Sequence, residues 1–151
     1  MIVLDASAAV ELMLTTPAGA AVARRLRGET VHAPAHFDVE VIGAIRQAVV
    51  RQLISDHEGL VVVVNFLSLP VRRWPLKPFT QRAYQLRSTH TVADGAYVAL
   101  AEGLGVPLIT CDGRLAQSHG LNRPGMSGDS SSWKGWGHVR WFIEEVPAGA
   151  A

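Results

Sequence analysis

Cysteine and long apolar runs are both scarce in this chain of 151 residues. Its one cysteine, Cys111, excludes a disulfide framework and is compatible with a reducing compartment. No stretch offers the roughly 18 uninterrupted apolar residues of a membrane span. The first apolar stretch contains Asp5 and Glu11 and has no basic residues before it, unlike a secretory signal. We therefore expect a cytoplasmic protein with no membrane segment.

Net charge and the usual cofactor motifs are also lacking. The formal charge of +1 argues against a protein that bulk charge alone holds to nucleic acid. Neither a Gly-x-x-x-x-Gly-Lys loop nor a Gly-x-Gly-x-x-Gly turn occurs, so nucleotide-cofactor chemistry has no support. Zinc is disfavoured as well, because the one His-x-x-x-His pair, His32 and His36, straddles Pro34 and does not share a helical face.

What remains is a pattern of strands alternating with helices, long enough for one domain over residues 1–151. Strands are predicted at 2–4, 31–33, 71–74 and 106–110. Helices are predicted at about 6–14, 17–27, 35–52, 56–67, 78–88, 92–104 and 113–119, and Pro34 is expected to open the one at 35–52. A Gly/Ser-rich stretch at 123–137 predicts a flexible loop, and 138–146 a last strand at the sheet edge. This order predicts a three-layer α/β/α domain around a parallel sheet of four to five strands.

Two of the predicted strands end on an aspartate. Asp5 follows Ile2-Val3-Leu4, and Asp112 follows the apolar run that begins at Pro107. Each aspartate could simply cap the helix that comes next. In open parallel sheets, however, ligands bind in the crevice outside the carboxyl ends of the strands, and both side chains would point into it.

Two further carboxylates lie on predicted helices beside apolar residues. Asp94 could form a capping box with Thr91, but its helical neighbours include Tyr97 and Val98, which favours a functional role on a packed face. Glu40 lies at the border of its apolar stripe, where a solvated residue is the simpler reading. Asp38, in the first turn of the same helix, is interpreted as structural.

Carboxylates that converge from separate elements repel each other unless a cation neutralises them. Asp5, Glu40, Asp94 and Asp112 form an all-oxygen donor set. Hard cations such as Mg²⁺ or Mn²⁺ prefer such a set, so the sequence predicts a site for one of them.

The segments IVLDASA, FDVEVIGAI, VADGAYVALAE and LITCD, in this order, resemble a PIN domain, and among PIN domains a VapC-type toxin of a bacterial toxin–antitoxin pair. The resemblance covers residues 1 to about 120. It implies a Mg²⁺- or Mn²⁺-dependent endoribonuclease that a VapB-like antitoxin holds inactive and that commonly works as a homodimer. Asp5, Glu40, Asp94 and Asp112 match the family's acidic quartet, and Ser7 and Thr110 match its supporting hydroxyls. Gly95 departs from the alanine that is usual there.

The expected reaction is hydrolysis of an RNA phosphodiester bond, with Asp5, Asp94 and Asp112 on the catalytic cation and Glu40 on a second cation or its water. Arginine is the natural phosphate ligand of this chain, whose lysines number only two, Lys77 and Lys134. Candidates for RNA contact are Arg46, Arg51, Arg82, Arg87 and Arg114, although a solvated helix face explains each of them too.

Two other functions remain open at this stage. Another acid-based α/β phosphohydrolase is possible, but a dehalogenase-type phosphatase needs an aspartate where this chain has Ser7. A non-catalytic module could instead bind a cation with the quartet and a protein with its Trp-bearing 123–137 segment.

Overall fold

The computed structural model describes residues 1–118 and 143–146, and it shows strands that alternate with single helices or helical pairs. The strands are β1 (Ile2–Leu4), β2 (Val31–Pro34), β3 (Val71–Trp74), β4 (Leu108–Thr110) and β5 (Ile143–Glu145). The helices are α1 (Ala6–Met13), α2 (Pro17–Arg25), α3 (Phe37–Val50), α4 (Asp56–Leu67), α5 (Thr80–Gln85), α6 (Val92–Leu104) and α7 (Gly113–Ser118).

The five strands form one sheet in the order β3-β2-β1-β4-β5, and every pair is parallel. From β1 the chain builds outward to β2 and β3, then crosses to the other side of β1 for β4. The reversal lies between β1 and β4, where an open sheet forms its binding crevice. Asp5 directly follows β1 and Asp112 follows β4 by two residues. The predicted three-layer α/β/α architecture is confirmed, and its topology brings both aspartates to the crevice.

Three predicted helix starts are confirmed by the side chains that cap them. Thr16 caps α2 and Pro17 occupies the first position of that helix. Ser55 and Glu58 form the reciprocal capping box of α4, and Thr91 caps α6. These side chains accept hydrogen bonds from backbone N–H groups that the first helical turn leaves without partners.

The prediction that Pro34 opens a helix near residue 35 is wrong. Pro34 is the last residue of β2, where it pairs with Trp74, and α3 begins at Phe37. The fixed φ of proline suits an extended strand end. The ladder then continues through the Ala35 N–H, which donates to the Trp74 carbonyl over 2.8 Å.

Two other elements are shorter than predicted. The helix expected at 78–88 is confined to α5, with turns on both sides. The strand expected at 106–110 begins at Leu108, because the Val106 N–H is still bonded to the Ala101 carbonyl at the end of α6. The left-handed Gly105, at φ 65°, makes that return possible.

The last strand lies at the sheet edge, as predicted. β5 pairs with β4 so that Glu145 lies opposite Thr110. Of the span predicted for this strand, residues 138–142 lie outside the described residues. The loop predicted at 123–137 also lies outside them.

Helix α6 is the central helix of the core. Its residues 95–101 are all buried, and it contacts β1, β2, β4 and α5. Tyr97 and Leu100 are fully enclosed. This packing fixes the first turn of α6, which carries Asp94.

Two glycines allow helices to approach more closely than any other residue would. A Cβ on Gly95 would lie 2.9 Å from the carbonyl oxygen of Ala83, so α5 and α6 can cross this closely only with glycine at position 95. The lower helix propensity of glycine is the cost of this close crossing. A Cβ on Gly19 would lie only 2.0 Å from the carbonyl oxygen of Glu11, where α2 packs on α1.

Within residues 1–118 and 143–146, no single helix is long and apolar enough to cross a membrane. Helices α1 and α2 together meet the length and composition criteria, but a bend of 112° separates them.

Replacement of Gly19 by alanine is expected to lower the free energy of unfolding by about 2 kcal/mol or more, because the added methyl group meets backbone that cannot move aside. The matched control is Gly43→Ala on α3, where a Cβ meets open space. It should raise the free energy of unfolding by up to about 1 kcal/mol through helix propensity. Urea denaturation measures both, and equal effects would contradict the close packing of α1 and α2.

Candidate active site at the carboxyl edge of the sheet

The four predicted acids lie on elements that meet at the β1–β4 crevice. Asp5 caps α1 and Asp112 caps α7. Glu40 lies in the first turn of α3, and Asp94 in the first turn of α6. The helix-cap reading of the two aspartates is correct. Asp5 caps α1 with Oδ2 alone, whereas both oxygens of Asp112 are bonded, Oδ1 as the cap of α7 and Oδ2 to the Arg114 side chain.

Asp5 is only 5% exposed, and hydroxyl groups from two elements hold one of its oxygens. Ser7 Oγ and Thr110 Oγ1 both donate to Asp5 Oδ2, the latter over 2.9 Å. The Ser7 N–H donates to the same oxygen over 3.2 Å. All these bonds fall on Oδ2, and Oδ1 has no hydrogen-bond partner among the described residues. The predicted supporting hydroxyls are therefore in contact with the acid that they were expected to support.

The same two hydroxyls tie the end of β4 to Asp5. Ser7 Oγ accepts from the Cys111 N–H and Thr110 Oγ1 from the Asp112 N–H, each over 2.9 Å. Backbone donors at the end of β4 thus reach the carboxylate at the end of β1 through one hydroxyl each. Such chains of hydrogen bonds polarise one another and strengthen the hold on the acceptor.

Burial is the main reason why the pKa of Asp5 lies above its ordinary value, and the charge of Glu40 adds to the effect. The hydrogen bonds from Ser7 and Thr110 act in the opposite direction but do not overcome it. A buried carboxylate beside a second one is costly in its ionised form. The pair would be stabilised by a cation.

Two aromatic residues that were not predicted as part of the site lie against Glu40, and one of them bonds to it. The Tyr97 hydroxyl donates to Glu40 Oε2 over 2.6 Å, and His36 Nε2 lies 3.5 Å from the same oxygen. Glu40 does lie at the border of its apolar stripe, with its side chain 34% exposed, but its carboxylate also accepts a hydrogen bond from a buried phenol. One signal was present in the sequence: Tyr97 follows Asp94 by three residues, so both share one face of α6.

Asp112 and Asp94 lie around one guanidinium group. Arg114 donates to Asp112 from its backbone N–H over 2.8 Å and from its side chain over 3.0 Å. Burial opposes the ionisation of Asp112, but these bonds and the charge of Arg114 outweigh it and hold the pKa of Asp112 below its ordinary value. Asp94 exchanges hydrogen bonds with Thr91 and attracts Arg114 by charge.

The other candidate arginines stand apart from the acids. Arg82 forms a two-pronged ion pair with Glu102, at 2.7 and 2.9 Å, which joins α5 to α6. The Arg87 guanidinium lies 4.6 Å from the ring centre of Tyr84. Arg46 and Arg51 are exposed at α3 and its end. Among these five, Arg114 is the one that bonds to a predicted site acid.

Glu145 is a site neighbour that the sequence analysis missed. Its Oε1 lies 3.2 Å from where a Cβ of Gly113 would be, close to the start of α7. No sequence signal points to Glu145, because it is the parallel pairing of β5 with β4 that brings this residue beside Thr110.

Burial, together with the charges of Glu11, Asp5 and Glu145, raises the pKa of the Cys111 thiol to about 11. Cys111 therefore stays protonated near neutral pH and is no nucleophile.

The residues present fit a hydrated hard cation and not a fully enclosed one. Across the described parts of the chain, no three His, Cys, Asp or Glu side chains are close enough to ligate one ion together. Mg²⁺ needs only one or two carboxylates, because it keeps several of its waters. Asp5 and Glu40 each have one oxygen held by hydroxyl groups, and their other oxygens, which have no hydrogen-bond partner among the described residues, would bind such an ion.

Comparisons with known proteins agree with this fold. A sequence profile described as "PIN domain" matches residues 2–120. The chain is 99% identical to ribonuclease VapC12 of Mycobacterium tuberculosis over 122 residues. This aligned region covers 81% of this chain and 95% of that protein. Ribonuclease VapC1 of the same organism is 39% identical over 121 residues, or 79% and 91% of the two chains.

A solved structure also superposes on this one. It is VapC20 of Mycobacterium tuberculosis, a toxin that cleaves the sarcin–ricin loop. The TM-score is 0.58 at 17% identity, with 76% of this chain and 92% of that chain covered. At this identity the likeness is one of fold alone.

Asp5→Asn should stabilise the metal-free protein at neutral pH. The folded state raises the pKa of Asp5, so it binds the proton more tightly than the unfolded chain, and stability falls as the pH rises through this titration. The neutral amide avoids that cost, and we expect the melting temperature in EDTA to rise by about 3 °C. Asp56→Asn, an exposed aspartate in the first turn of α4, should instead lower it slightly. A melting temperature of Asp5→Asn below that of the parent protein would refute the account of Asp5.

Proposed function

The chain belongs to the PIN-domain family, as a ribonuclease of the VapC type, and from this premise we propose that it is an endoribonuclease that hydrolyses RNA with the aid of Mg²⁺ or Mn²⁺. The observation that most supports this is the buried Asp5 carboxylate beside Glu40. The arrangement costs free energy in the absence of a cation and is suited to holding one.

In this proposal Asp5, Asp94 and Asp112 would hold the catalytic cation largely through its bound water molecules, because no three acids of the described residues are close enough to ligate one ion directly. Glu40 would bind a second cation or its water. A bound divalent cation supplies an acidified water and neutralises the charge that grows on the leaving oxygen. Ser7 and Thr110 keep Asp5 in one orientation throughout. Water oxygen bonds to phosphorus as the bond from phosphorus to the 3′ oxygen breaks, and a proton passes to that oxygen. The products are a 5′-phosphate and a 3′-hydroxyl.

Arg114 is the proposed first contact with the RNA backbone. Its side chain is 86% exposed although its guanidinium bonds Asp112, so it can turn outward at little cost in buried area. When a cation neutralises Asp112, the guanidinium is free to bind a phosphate. Arg46, Arg51 and Arg87 extend the proposed track. Arg82 contributes less, since its guanidinium is already bonded to Glu102.

The proposed partners are a VapB-like antitoxin, which would hold the enzyme inactive, and a second copy of the chain. Exposed apolar side chains on α4 support the existence of a protein-binding face: Leu60, Val61, Val64 and Leu67. The proposed RNA substrate implies action in the cytoplasm.

Asp94→Asn should abolish RNA cleavage, with at least a hundredfold loss of rate, while the protein stays folded. The assay uses purified protein freed of antitoxin, a structured RNA, and Mn²⁺ or Mg²⁺ against EDTA. Asp38→Asn is the matched control. Asp38 forms an ion pair with Arg73 and was not predicted as a site residue, so its replacement should leave cleavage intact. Equal cleavage by the Asp94→Asn variant and the parent would exclude the site. A parent protein that binds Mn²⁺ but never cleaves RNA would favour the non-catalytic module.

Arg114→Ala should weaken RNA binding and reduce the dependence of log K on log salt concentration by about one unit. The control, Arg27→Ala, removes an exposed arginine four residues before β2 begins, and therefore at the amino end of the strands, away from the site. It should change neither quantity. Both substitutions are made in the catalytically inactive Asp94→Asn protein, so that the RNA stays intact. RNA binding is then measured by fluorescence anisotropy at several salt concentrations, which distinguishes the two arginine variants. Identical salt slopes for both arginine variants would remove Arg114 from the track.

A further inference from the structure

One buried hydroxyl group in the site has no role in the chemistry described so far. Tyr97 is fully buried on α6, and its hydroxyl donates to Glu40 Oε2 over 2.6 Å. The charges of both Glu40 and Asp5 act on this phenol. Burial and these carboxylates raise its pKa, so it remains a donor at every working pH.

The ring of Tyr97 is fixed by its neighbours. His36 packs edge-on against it, with 5.0 Å between ring centres and 66° between ring planes. Neither ring nitrogen of His36 makes a hydrogen bond to the described residues. His36 thus contributes packing, and the Tyr97 hydroxyl provides the directed bond to Glu40.

The bond joins two helices that each carry a site acid. Glu40 lies on α3, whereas Tyr97 lies on α6 one turn after Asp94. A side chain as long as glutamate has three rotatable bonds and loses more conformational freedom than aspartate when it is ordered. The Tyr97 hydroxyl holds Oε2 and so restricts the orientation of the carboxylate, while Oε1 has no hydrogen-bond partner among the described residues.

We propose that Tyr97 is a positioning residue of the active site, which acts through Glu40 by holding Oε2 and presenting Oε1 to the cation or its water. This inference rests on the proposed metal-dependent function. It assigns to α6 two tasks, supplying Asp94 and orienting Glu40. Residues that orient a metal ligand in this way typically account for a 10- to 100-fold difference in metal affinity.

The test is Tyr97→Phe, which keeps the buried ring and removes only the hydroxyl. The chain has one other tyrosine, and Tyr84→Phe serves as the matched control because Tyr84 is exposed on α5. Binding of Mn²⁺ is measured directly, from the electron paramagnetic resonance signal of the free ion. We expect about tenfold weaker binding for Tyr97→Phe and none of this loss for Tyr84→Phe. In the cleavage assay the half-activating Mn²⁺ concentration should rise in parallel, with an unchanged KM for RNA.

The outcomes separate this inference from the function on which it rests. A parent protein that neither binds Mn²⁺ nor cleaves RNA overturns the proposed function. Metal-dependent cleavage by the parent, with the same Mn²⁺ affinity for Tyr97→Phe, leaves that function standing and overturns the role of Tyr97. A rise in KM for RNA with unchanged Mn²⁺ affinity also overturns it, because the hydroxyl would then serve the substrate.

A double-mutant cycle in EDTA tests the contact itself. If the hydroxyl acts through Glu40, the loss in free energy of unfolding for Tyr97→Phe with Glu40→Ala is smaller than the sum of the two single losses. Additive losses would show that the two side chains are not coupled and would overturn the inference.

Discussion

The site is organised around a carboxylate that has been taken out of water. Asp5 is almost fully enclosed, yet its position at the end of the central strand places it beside a second acid, Glu40. An ionised group in such surroundings must have its lone pairs satisfied or its charge offset. The hydroxyls of Ser7 and Thr110 meet the first requirement on one oxygen. The other oxygen has no hydrogen-bond partner among the described residues and is the one that the proposed cation would bind.

The parallel sheet explains why residues so distant in sequence meet. Its order places β1 between the two halves of the chain, so the loops after β1 and β4 face each other across one crevice. Helices α3 and α6 then bring Glu40 and Asp94 toward the same crevice from their first turns. The close crossing of α5 and α6 at Gly95 keeps α6 in place.

Much of this arrangement was predictable from local signals. Caps such as Ser55 and Thr91 mark helix starts, and the two apolar runs that stop on aspartates mark strand ends at a ligand crevice. Cross-element contacts were not predictable in the same way. Nothing near Glu40 in the sequence reveals that it bonds Tyr97, and Glu145 enters the site only through the register of β5. Pro34 misled the prediction because proline favours the first turn of a helix and the end of a strand about equally well, and only the pairing with Trp74 distinguishes the two.

The ion pair between Arg114 and Asp112 has a consequence for how the protein is made. Small metalloproteins whose ligands lack any internal counter-charge stay unfolded until their metal arrives. Here a guanidinium group from the chain itself neutralises one of the acids, and hydroxyl groups satisfy another. The chain can therefore reach its folded state without a bound ion, so in the proposed function the divalent cation is needed for cleavage and not for folding.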